Sequence, residues 1–185
     1  KAAGEGDDLV LFEENGVDEA ARFALPRQAG GDGKCIADYV RDITAGPESR
    51  DVVGLQIVTM GQNVANVARD WFEDDRYQDY LYLHGLGVEM AEAMAEYVHK
   101  RVRSELGHAG EEARDMAGLL KQQYRGSRYS FGYPACPNME DQAKLLDLLG
   151  AGRIGVAMSD EFQLHPEQST SALVIAHPKA KYFSV

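Results

Sequence analysis

The chain has few cysteines and no long hydrophobic run. Cys35 and Cys136 lie about a hundred residues apart, without a Cys-x-x-Cys pair and without histidines at zinc-finger spacing. We therefore expect no disulfide framework and no structural zinc site, and we interpret both cysteines as reduced thiols of a cytoplasmic protein. No apolar stretch approaches the roughly 20 residues of a membrane-spanning helix, which argues against a membrane protein.

Basic residues are scarce relative to acidic ones. The 185 residues include 19 Lys and Arg against 30 Asp and Glu, a formal net charge of −11. Non-specific binding to nucleic acid or to an anionic membrane is therefore not expected. The length suits one domain with a substantial core. Because the chain begins at Lys1 without methionine and stops at Val185 inside an apparent strand, we interpret it as a piece of a longer polypeptide.

The usual signatures of a self-contained enzyme are missing. The sequence has no Ser/His/Asp arrangement, no phosphate-binding P-loop and no metal-ligand cluster, since its histidines are scattered. Gly85 and Gly87 match part of a dinucleotide-binding fingerprint, but Met90 stands where the third glycine belongs. These absences favour a binding and positioning module over a hydrolase.

The most distinctive stretch is residues 125–137, which hold two arginines, three aromatic rings, two glycines and two prolines. This composition predicts a shaped loop, because glycine adopts backbone angles that other residues avoid and proline removes an N–H donor that helices and sheets need. Arg128 can form two parallel hydrogen bonds to a carboxylate or a phosphate, and the tyrosines can lie against a base or a cation. The alternative for Arg128 is a structural salt bridge or a carbonyl clamp.

Two acidic residues could complete such a site. Asp38 follows Cys35-Ile36-Ala37, an apolar setting in which it is either a turn or cap residue or a ligand for a cation. Glu92 falls at the edge of the apolar stripe of a predicted helix, where it is either a solvated flank residue or a site residue. If either acid faced the same space as Arg128, the site would suit a ligand that carries an amino acid.

Periodicity and turn residues predict an α+β domain with a mainly antiparallel sheet, because strands and helices do not alternate regularly. Residues 1–8 resemble a linker or a poorly ordered start, and residues 51–61 predict a strand in the middle of a sheet. The other predicted helices cover residues 17–23, 63–72, 86–106, 111–123 and, with Asn138 as N-cap, 138–149. The other predicted strands cover residues 154–158, 171–176 and 182–185.

Six blocks of the sequence carry a specific pattern: Phe23-Ala-Leu-Pro-Arg-Gln28, Cys35-Ile-Ala-Asp-Tyr39, His84-Gly-Leu-Gly-Val-Glu89, Ala91-Glu-Ala-Met-Ala-Glu-Tyr-Val-His99, Arg128-Tyr-Ser-Phe-Gly-Tyr-Pro-Ala-Cys-Pro137 and His177-Pro-Lys-Ala-Lys-Tyr-Phe183. These blocks, in this order, resemble the activation domain of cobalamin-dependent methionine synthase. The most specific match is the block in which an arginine precedes Gly-Tyr-Pro-Ala-Cys-Pro by the same interval as in that family. The resemblance divides the chain into a lead-in, residues 1–22, and an activation domain, residues 23–185.

The resemblance implies a C-shaped single domain with helices around a bent antiparallel sheet, and it implies a role in repair. Such a domain binds S-adenosylmethionine and positions it for reductive methylation of cob(II)alamin to methylcobalamin. The implied partners are the cobalamin-binding domain of the same polypeptide and a flavodoxin or flavoprotein reductase that supplies the electron. The domain would be part of a methyltransferase acting on 5-methyltetrahydrofolate and homocysteine, and alone it would bind without full activity.

The resemblance also assigns residues. Arg128 matches the arginine that holds the ligand carboxylate, and Asp38 and Glu92 match acids near its amino and ribose groups. Ser130 matches a position that contributes backbone contacts, and Tyr133 matches the tyrosine that can approach the cobalt face.

Tyr182 matches a tyrosine near the ligand. Gln122 departs from the family pattern, because some relatives carry an acid there, and so do Leu164-His165 and Ala172. Two other hypotheses remain open: a separate protein that reactivates another corrinoid enzyme in trans, and an unrelated stand-alone methyltransferase, which would lack its expected glycine-rich loop.

Overall fold

The computed structural model describes residues 1–183, which form an α+β fold with antiparallel strand pairs, as predicted. The chain divides into two compact units. The first unit contains residues 1–54, 100–138 and the chain from Leu173 onward, and the second contains residues 55–99 and 139–172. Among residues 1–183, none of the helices combines the length and the apolar character that crossing a bilayer requires.

The described chain contains four α-helices and eight strands. The helices are α1 (Gln62–Glu73), α2 (Tyr77–Glu105), α3 (Met116–Leu120) and α4 (Asp141–Leu149). The strands are β1 (Ala2–Glu5), β2 (Asp8–Phe12), β3 (Glu19–Ala24), β4 (Val53–Thr59), β5 (Ser127–Tyr129), β6 (Ala157–Met158), β7 (Leu164–His165) and β8 (Ser169–Ile175). A short 3₁₀ helix, Ile36–Tyr39, carries Asp38.

The first unit opens with a three-stranded sheet in the order β1–β2–β3. Ala3 and Val10 are fully buried there, so the prediction of a poorly ordered start over residues 1–8 is wrong. The glycine and acidic residues that suggested a linker instead form a tight turn between β1 and β2, in which Gly6 has a φ of 61°.

The helix predicted over residues 17–23 is also wrong, because this segment enters β3. Phe23 is fully buried, whereas Arg22 lies outward and binds Glu5, Asp8 and Glu19 with N–O distances of 2.6, 2.9 and 2.8 Å. Successive side chains thus point to opposite faces, as in a strand. The boundary expected between residues 22 and 23 falls inside β3.

Residues 125–137 are not a loop throughout, because β5 pairs antiparallel with the end of β8 and places Arg128 opposite Val174. Gly126 allows this approach: its φ is 87°, and a Cβ atom built on it would lie 2.4 Å from the Ile175 carbonyl oxygen. Gly126 therefore allows β5 to pair closely with β8 directly before Arg128, and it is not part of a free loop.

In the second unit, the amide of Met60, just after β4, donates to the carbonyl of Gln168, just before β8, at 2.9 Å. The strand predicted over residues 51–61 is confirmed as β4, but its expected position in the middle of a sheet is wrong. The order is β4–β8–β5, so the central strand is β8. The second unit also contains the two-stranded ladder of β6 and β7.

The helices α1, α2 and α4 agree closely with the sequence pattern. The prediction for residues 63–72 is confirmed as α1, and the prediction for residues 86–106 as α2, which already begins at Tyr77. Gly150 ends α4 in the left-handed conformation, as expected of a C-terminal glycine. The N-cap of α4 is Glu140, so the prediction of Asn138 at that position is wrong.

The helix predicted over residues 111–123 is too long, because only α3 forms within it. Asp115 accepts a hydrogen bond from the amide of Gly118 at 2.7 Å and so starts the helix late. A Cβ atom on Gly118 would lie 2.4 Å from the Ala113 Cβ, so the chain folds tightly back before α3.

Two strand predictions also change near the carboxyl end of the chain. Of residues 154–158, only Ala157 and Met158 are in a strand, because Ile154 belongs to a 3₁₀ helix. Tyr182 and Phe183 are not in a strand. The remaining part of that prediction, residues 184 and 185, lies outside the described residues.

Candidate ligand site

Arg128 occupies the middle of β5, between two buried side chains. Ser127 and Tyr129 are 4% and 2% exposed and point to the interior, whereas Arg128 is partly exposed on the opposite face of the strand. The strand thus fixes the backbone of Arg128, and its side chain is only partly exposed, with the guanidinium nitrogen Nη1 buried. A planar guanidinium held in this way is suited to bind a carboxylate through two hydrogen bonds.

A cluster of rings holds three segments of the first unit together. Tyr39 stacks on Tyr129 and on His177 with centroid distances of 6.5 and 5.6 Å, and Phe183 meets Tyr39 and Tyr129 at 6.5 and 6.1 Å. Because these rings are sequence neighbours of predicted site residues, the cluster assembles the segments that carry four of them. Those four residues are Asp38, Arg128, Ser130 and Tyr182.

Tyr129 fixes this cluster through its hydroxyl group. Its O–H donates to the Lys181 carbonyl oxygen at 2.9 Å. Burial raises the pKa of Tyr129 well above its usual range, so the phenol remains a donor at neutral pH. The bond anchors the backbone directly before Tyr182, whose own ring is 50% exposed.

The carboxylate of Asp38 is bound by an arginine that the sequence analysis did not single out. Arg27 donates to both carboxylate oxygens at 2.7 Å, and the Cys35 amide donates to one of them at 3.0 Å. The hydrogen bonds from Arg27 hold the pKa of Asp38 below its usual range. The apolar setting expected for Asp38 is therefore wrong for its side chain, which is exposed and ion-paired.

Tyr133 projects from the turn that follows β5. The amide of Gly132 donates to the Cys136 carbonyl at 2.9 Å, and the Cys136 amide donates back to the Tyr133 carbonyl at 2.8 Å. These two bonds close the turn around Pro134, and the Tyr133 side chain is 56% exposed. Ser130 lies between β5 and this turn, at the first position after the strand ladder.

Lys181 supports the segment that enters β5. Its ammonium donates to the carbonyls of Gln122 and Tyr124 at 2.9 and 3.2 Å. Gln122 has a φ of 52°, a left-handed conformation that is unusual for a residue other than glycine. Lys181 stands in a block that resembles the family, but nothing in its spacing predicts two carbonyl partners almost sixty residues away.

Glu92 is the one predicted residue in the second unit, where it lies exposed on α2. The other five, Asp38, Arg128, Ser130, Tyr133 and Tyr182, belong to the first unit. Among the residues that the structure describes, no three His, Cys, Asp or Glu side chains gather as a candidate metal site.

The fold is an α+β domain in which a short strand presents Arg128, a side chain suited to bind a carboxylate, beside segments that are joined by packed rings. The chain belongs to the family described as vitamin B12 dependent methionine synthase, activation domain, whose profile matches residues 1–185.

Individual relatives agree with this assignment. Methionine synthase of Mycobacterium tuberculosis is 47% identical over 196 residues, and that of Mycobacterium leprae is 44% identical over 194 residues. Each alignment includes the whole chain, which spans 16% of the length of either relative. The crystal structure of the MetH reactivation domain bound to AdoHcy matches with a TM-score of 0.90 at 28% identity, covering 99% of this chain and 58% of that one.

Proposed function

We propose that the chain is the C-terminal activation domain of a methionine synthase and that it binds S-adenosylmethionine. In this role it positions the methyl donor for the reductive methylation of cob(II)alamin to methylcobalamin, with an electron from a flavodoxin or flavoprotein reductase. The observation that carries the proposal is Arg128, fixed on β5 in a chain whose solved relative is bound to AdoHcy. We place this function in the cytoplasm, where the free thiols Cys35 and Cys136 would remain reduced.

The residues of the first unit fit the parts of this ligand. The guanidinium of Arg128 binds the ligand carboxylate, because a planar fork of N–H donors matches two carboxylate oxygens. Tyr182 is half-exposed and offers a ring face to the sulfonium cation or the adenine. Ser130 contributes its backbone just beyond the ladder of β5. Asp38 supports the site through Arg27, since that arginine already binds both of its oxygens.

Cobalamin, held mainly by a neighbouring domain of the same polypeptide, would supply the cobalt that accepts the methyl group. Tyr133 is the residue of this chain that we assign to that side of the ligand, because its ring is exposed on a turn closed by two backbone hydrogen bonds. The 5-methyltetrahydrofolate–homocysteine methyl transfer belongs to the whole enzyme, and in this proposal the chain alone binds the donor without making methionine. Glu92 keeps a ligand role by resemblance, to be tested separately with Glu92→Gln.

The first test is calorimetric titration of the chain with S-adenosylmethionine and with S-adenosylhomocysteine. We expect both to bind, and we expect Arg128→Ala to weaken each by about 1.5–3 kcal/mol, the scale of a hydrogen bond to a charged group. The affinity of Arg128→Lys should lie between those of the wild type and Arg128→Ala, because lysine keeps the positive charge but lacks the planar pair of N–H donors.

Arg101→Ala is the matched control. This arginine also belongs to the first unit, but its side chain is 71% exposed and pairs with Glu105 on the same helix at 2.9 Å. Its replacement should leave the affinity unchanged. If Arg128→Ala lowers the melting temperature but not the affinity, Arg128 is a structural residue, and if the wild-type chain binds neither ligand, the proposed function fails.

A further inference from the structure

The acidic excess of the chain is concentrated in the second unit. Within residues 55–99 and 139–172, fourteen Asp and Glu side chains stand against four Lys and Arg, a net charge of −10 of the total of −11. The first unit is therefore almost neutral. A field of this strength attracts a cationic partner and orients its approach.

Within this unit, four rings form a cluster at the junction of α1 and α2. Phe72 contacts Tyr77 and Tyr80 with centroid distances of 6.1 and 5.1 Å, and Tyr80 contacts His84 at 5.6 Å. Phe72 and Tyr77 are 53% and 57% exposed, which is unusual for adjoining aromatic side chains. The ring cluster, defined as Phe72, Tyr77, Tyr80 and His84, is thus an accessible aromatic surface in acidic surroundings.

A cavity of about 240 Å³ lies beside the ring cluster. Phe72, Tyr80 and His84 form its aromatic lining, and Gln168 and Glu167 contribute polar groups. Pockets for small organic ligands usually measure roughly 300–1,000 Å³, so this volume suits one inserted side chain better than a whole cofactor.

Gln168 indicates what that side chain should offer. It is 2% exposed, and its amide nitrogen donates to Nδ1 of His84 at 3.1 Å. Its Oε1 is buried and accepts no hydrogen bond within the described residues. A buried carbonyl oxygen in this state favours a ligand that brings an N–H donor.

The charges at the cavity favour a cation as well. Glu167 is 72% exposed, with its carboxylate 3.8 Å from the His84 ring nitrogen. Arg69 also lines the cavity, but the positive charge of its guanidinium is offset by the carboxylates of Asp70 and Glu73, at N–O distances of 3.9 and 4.0 Å. Elsewhere the chain itself places guanidinium groups over rings, as with Arg76 above Trp71 at 4.5 Å.

We propose that this face of the second unit docks a basic segment of a partner protein, with an arginine side chain of the partner inserted into the cavity. The guanidinium lies against Phe72 and Tyr80, donates an N–H to Oε1 of Gln168 and is balanced by Glu167. The surrounding acidic surface accelerates the encounter, and the cavity supplies the specificity.

The test uses a short Gly/Ser peptide that carries arginine and the same peptide with citrulline, which keeps the shape and removes the charge. With the isotope-labelled chain, NMR titration of the arginine peptide should shift the resonances of His84 and of the Gln168 side-chain amide. We expect the citrulline peptide to bind about tenfold more weakly, as the loss of a cation–π contact and a charged hydrogen bond requires. Binding of the arginine peptide should weaken as salt screens the acidic surface.

Surface variants distinguish binding in the cavity from non-specific attraction to the acidic surface. Phe72→Ala and Glu167→Gln should each weaken binding of the arginine peptide, whereas Tyr97→Ala and Glu161→Gln should not. The two controls are exposed residues of the same unit that do not line the cavity. Equal binding of both peptides, equal effects of all four variants, or a concentration-dependent dimer that occupies the face would overturn the proposal. Because S-adenosylmethionine titration is a separate readout, this result is independent of the proposed function.

Discussion

Arg27 holds the carboxylate of Asp38 in an ion pair. The guanidinium binds both carboxylate oxygens of Asp38, and it also binds Asp7 at 2.8 Å and the Gly33 carbonyl at 2.7 Å. The 3₁₀ helix that carries Asp38 is therefore tied to the turn at Asp7 and to the glycine-rich loop at Gly33. Arg27 therefore links three irregular segments through its bonds to Asp38, Asp7 and Gly33. These segments lie next to Tyr39 in the sequence or the fold, so the Arg27–Asp38 ion pair supports the candidate site.

This pairing predicts the pH dependence of Asp38→Asn. The folded pKa of Asp38 is lowered by Arg27, so the stabilisation is fully present above the unfolded value of about 3.9 and is lost as the pH falls through the lower folded pKa. Urea denaturation should show a wild-type chain that is more stable than Asp38→Asn at pH 7. The difference should shrink below about pH 4.

The control is Asp32→Asn, the same change at a side chain that is 79% exposed. Its stability should follow the wild type at every pH. Calorimetry of Asp38→Asn with S-adenosylmethionine then separates two roles. Lower stability with unchanged affinity would make Asp38 a structural residue alone, whereas lower affinity with unchanged stability would contradict the supporting role of the Arg27 pair.

At the level of elements, α2 contains two glycines that are close in sequence but differ in their surroundings. A Cβ atom on Gly85 would meet nothing within 4 Å. A Cβ atom on Gly87 would lie 2.8 Å from Cγ of the buried Gln168. Their partial match to a nucleotide-binding fingerprint therefore has a packing explanation at Gly87, where the missing side chain makes room for Gln168.

The two glycines form a matched pair for a stability experiment. Gly85→Ala should stabilise the chain by about 0.5–1 kcal/mol, because alanine loses less backbone entropy in a helix. Gly87→Ala should destabilise it by about 1–3 kcal/mol, because the added methyl group displaces a packed side chain. Chemical denaturation measures both, and a stabilising Gly87→Ala would show that Gln168 moves aside without cost.

The elements that the sequence predicted well are those whose signal is local. The apolar repeat of α2, the helix of α1 and the glycine that ends α4 depend on neighbours three or four residues apart. By contrast, β5 is short and depends on pairing with β8, which is distant in the sequence. The strand β1 pairs with its neighbour β2, but its small residues and the glycine and acidic residues of the turn between them are also typical of a linker.

The candidate site likewise contains some features that the sequence predicted and others that it could not predict. A guanidinium near tyrosines in a loop-like composition predicted a carboxylate-binding element at Arg128, and the structure shows that residue fixed on a strand. The pairing of Asp38 with Arg27 and the contacts of Lys181 with Gln122 and Tyr124 could not be predicted. Those contacts join residues 11 to 59 positions apart, and a single sequence contains no measure of such proximity.

For the whole molecule, the distribution of charge matters more than its total. The second unit carries a net charge of −10, whereas the first unit has sixteen acidic and fifteen basic side chains. Repulsion among like charges lowers the stability of a folded unit, and it acts over a Debye length of about 10 Å at 0.1 M salt. This loss of stability should therefore arise mainly in the second unit, and it should diminish as salt is added.

Repulsion concentrated in the second unit predicts a salt-dependent melting temperature whose origin can be located by substitution. Raising sodium chloride from low concentration to about 0.3 M should raise the melting temperature by about 2–4 °C, which corresponds to about 1 kcal/mol for a chain of this size. The double substitution Glu89→Gln with Glu161→Gln, in the second unit, should raise the melting temperature at low salt and flatten its salt dependence. The same change at Glu13 and Glu14, exposed acids of the first unit, should do neither, because that unit is nearly neutral. Equal effects of the two pairs in scanning calorimetry would mean that the total charge, not its concentration in the second unit, governs the repulsion.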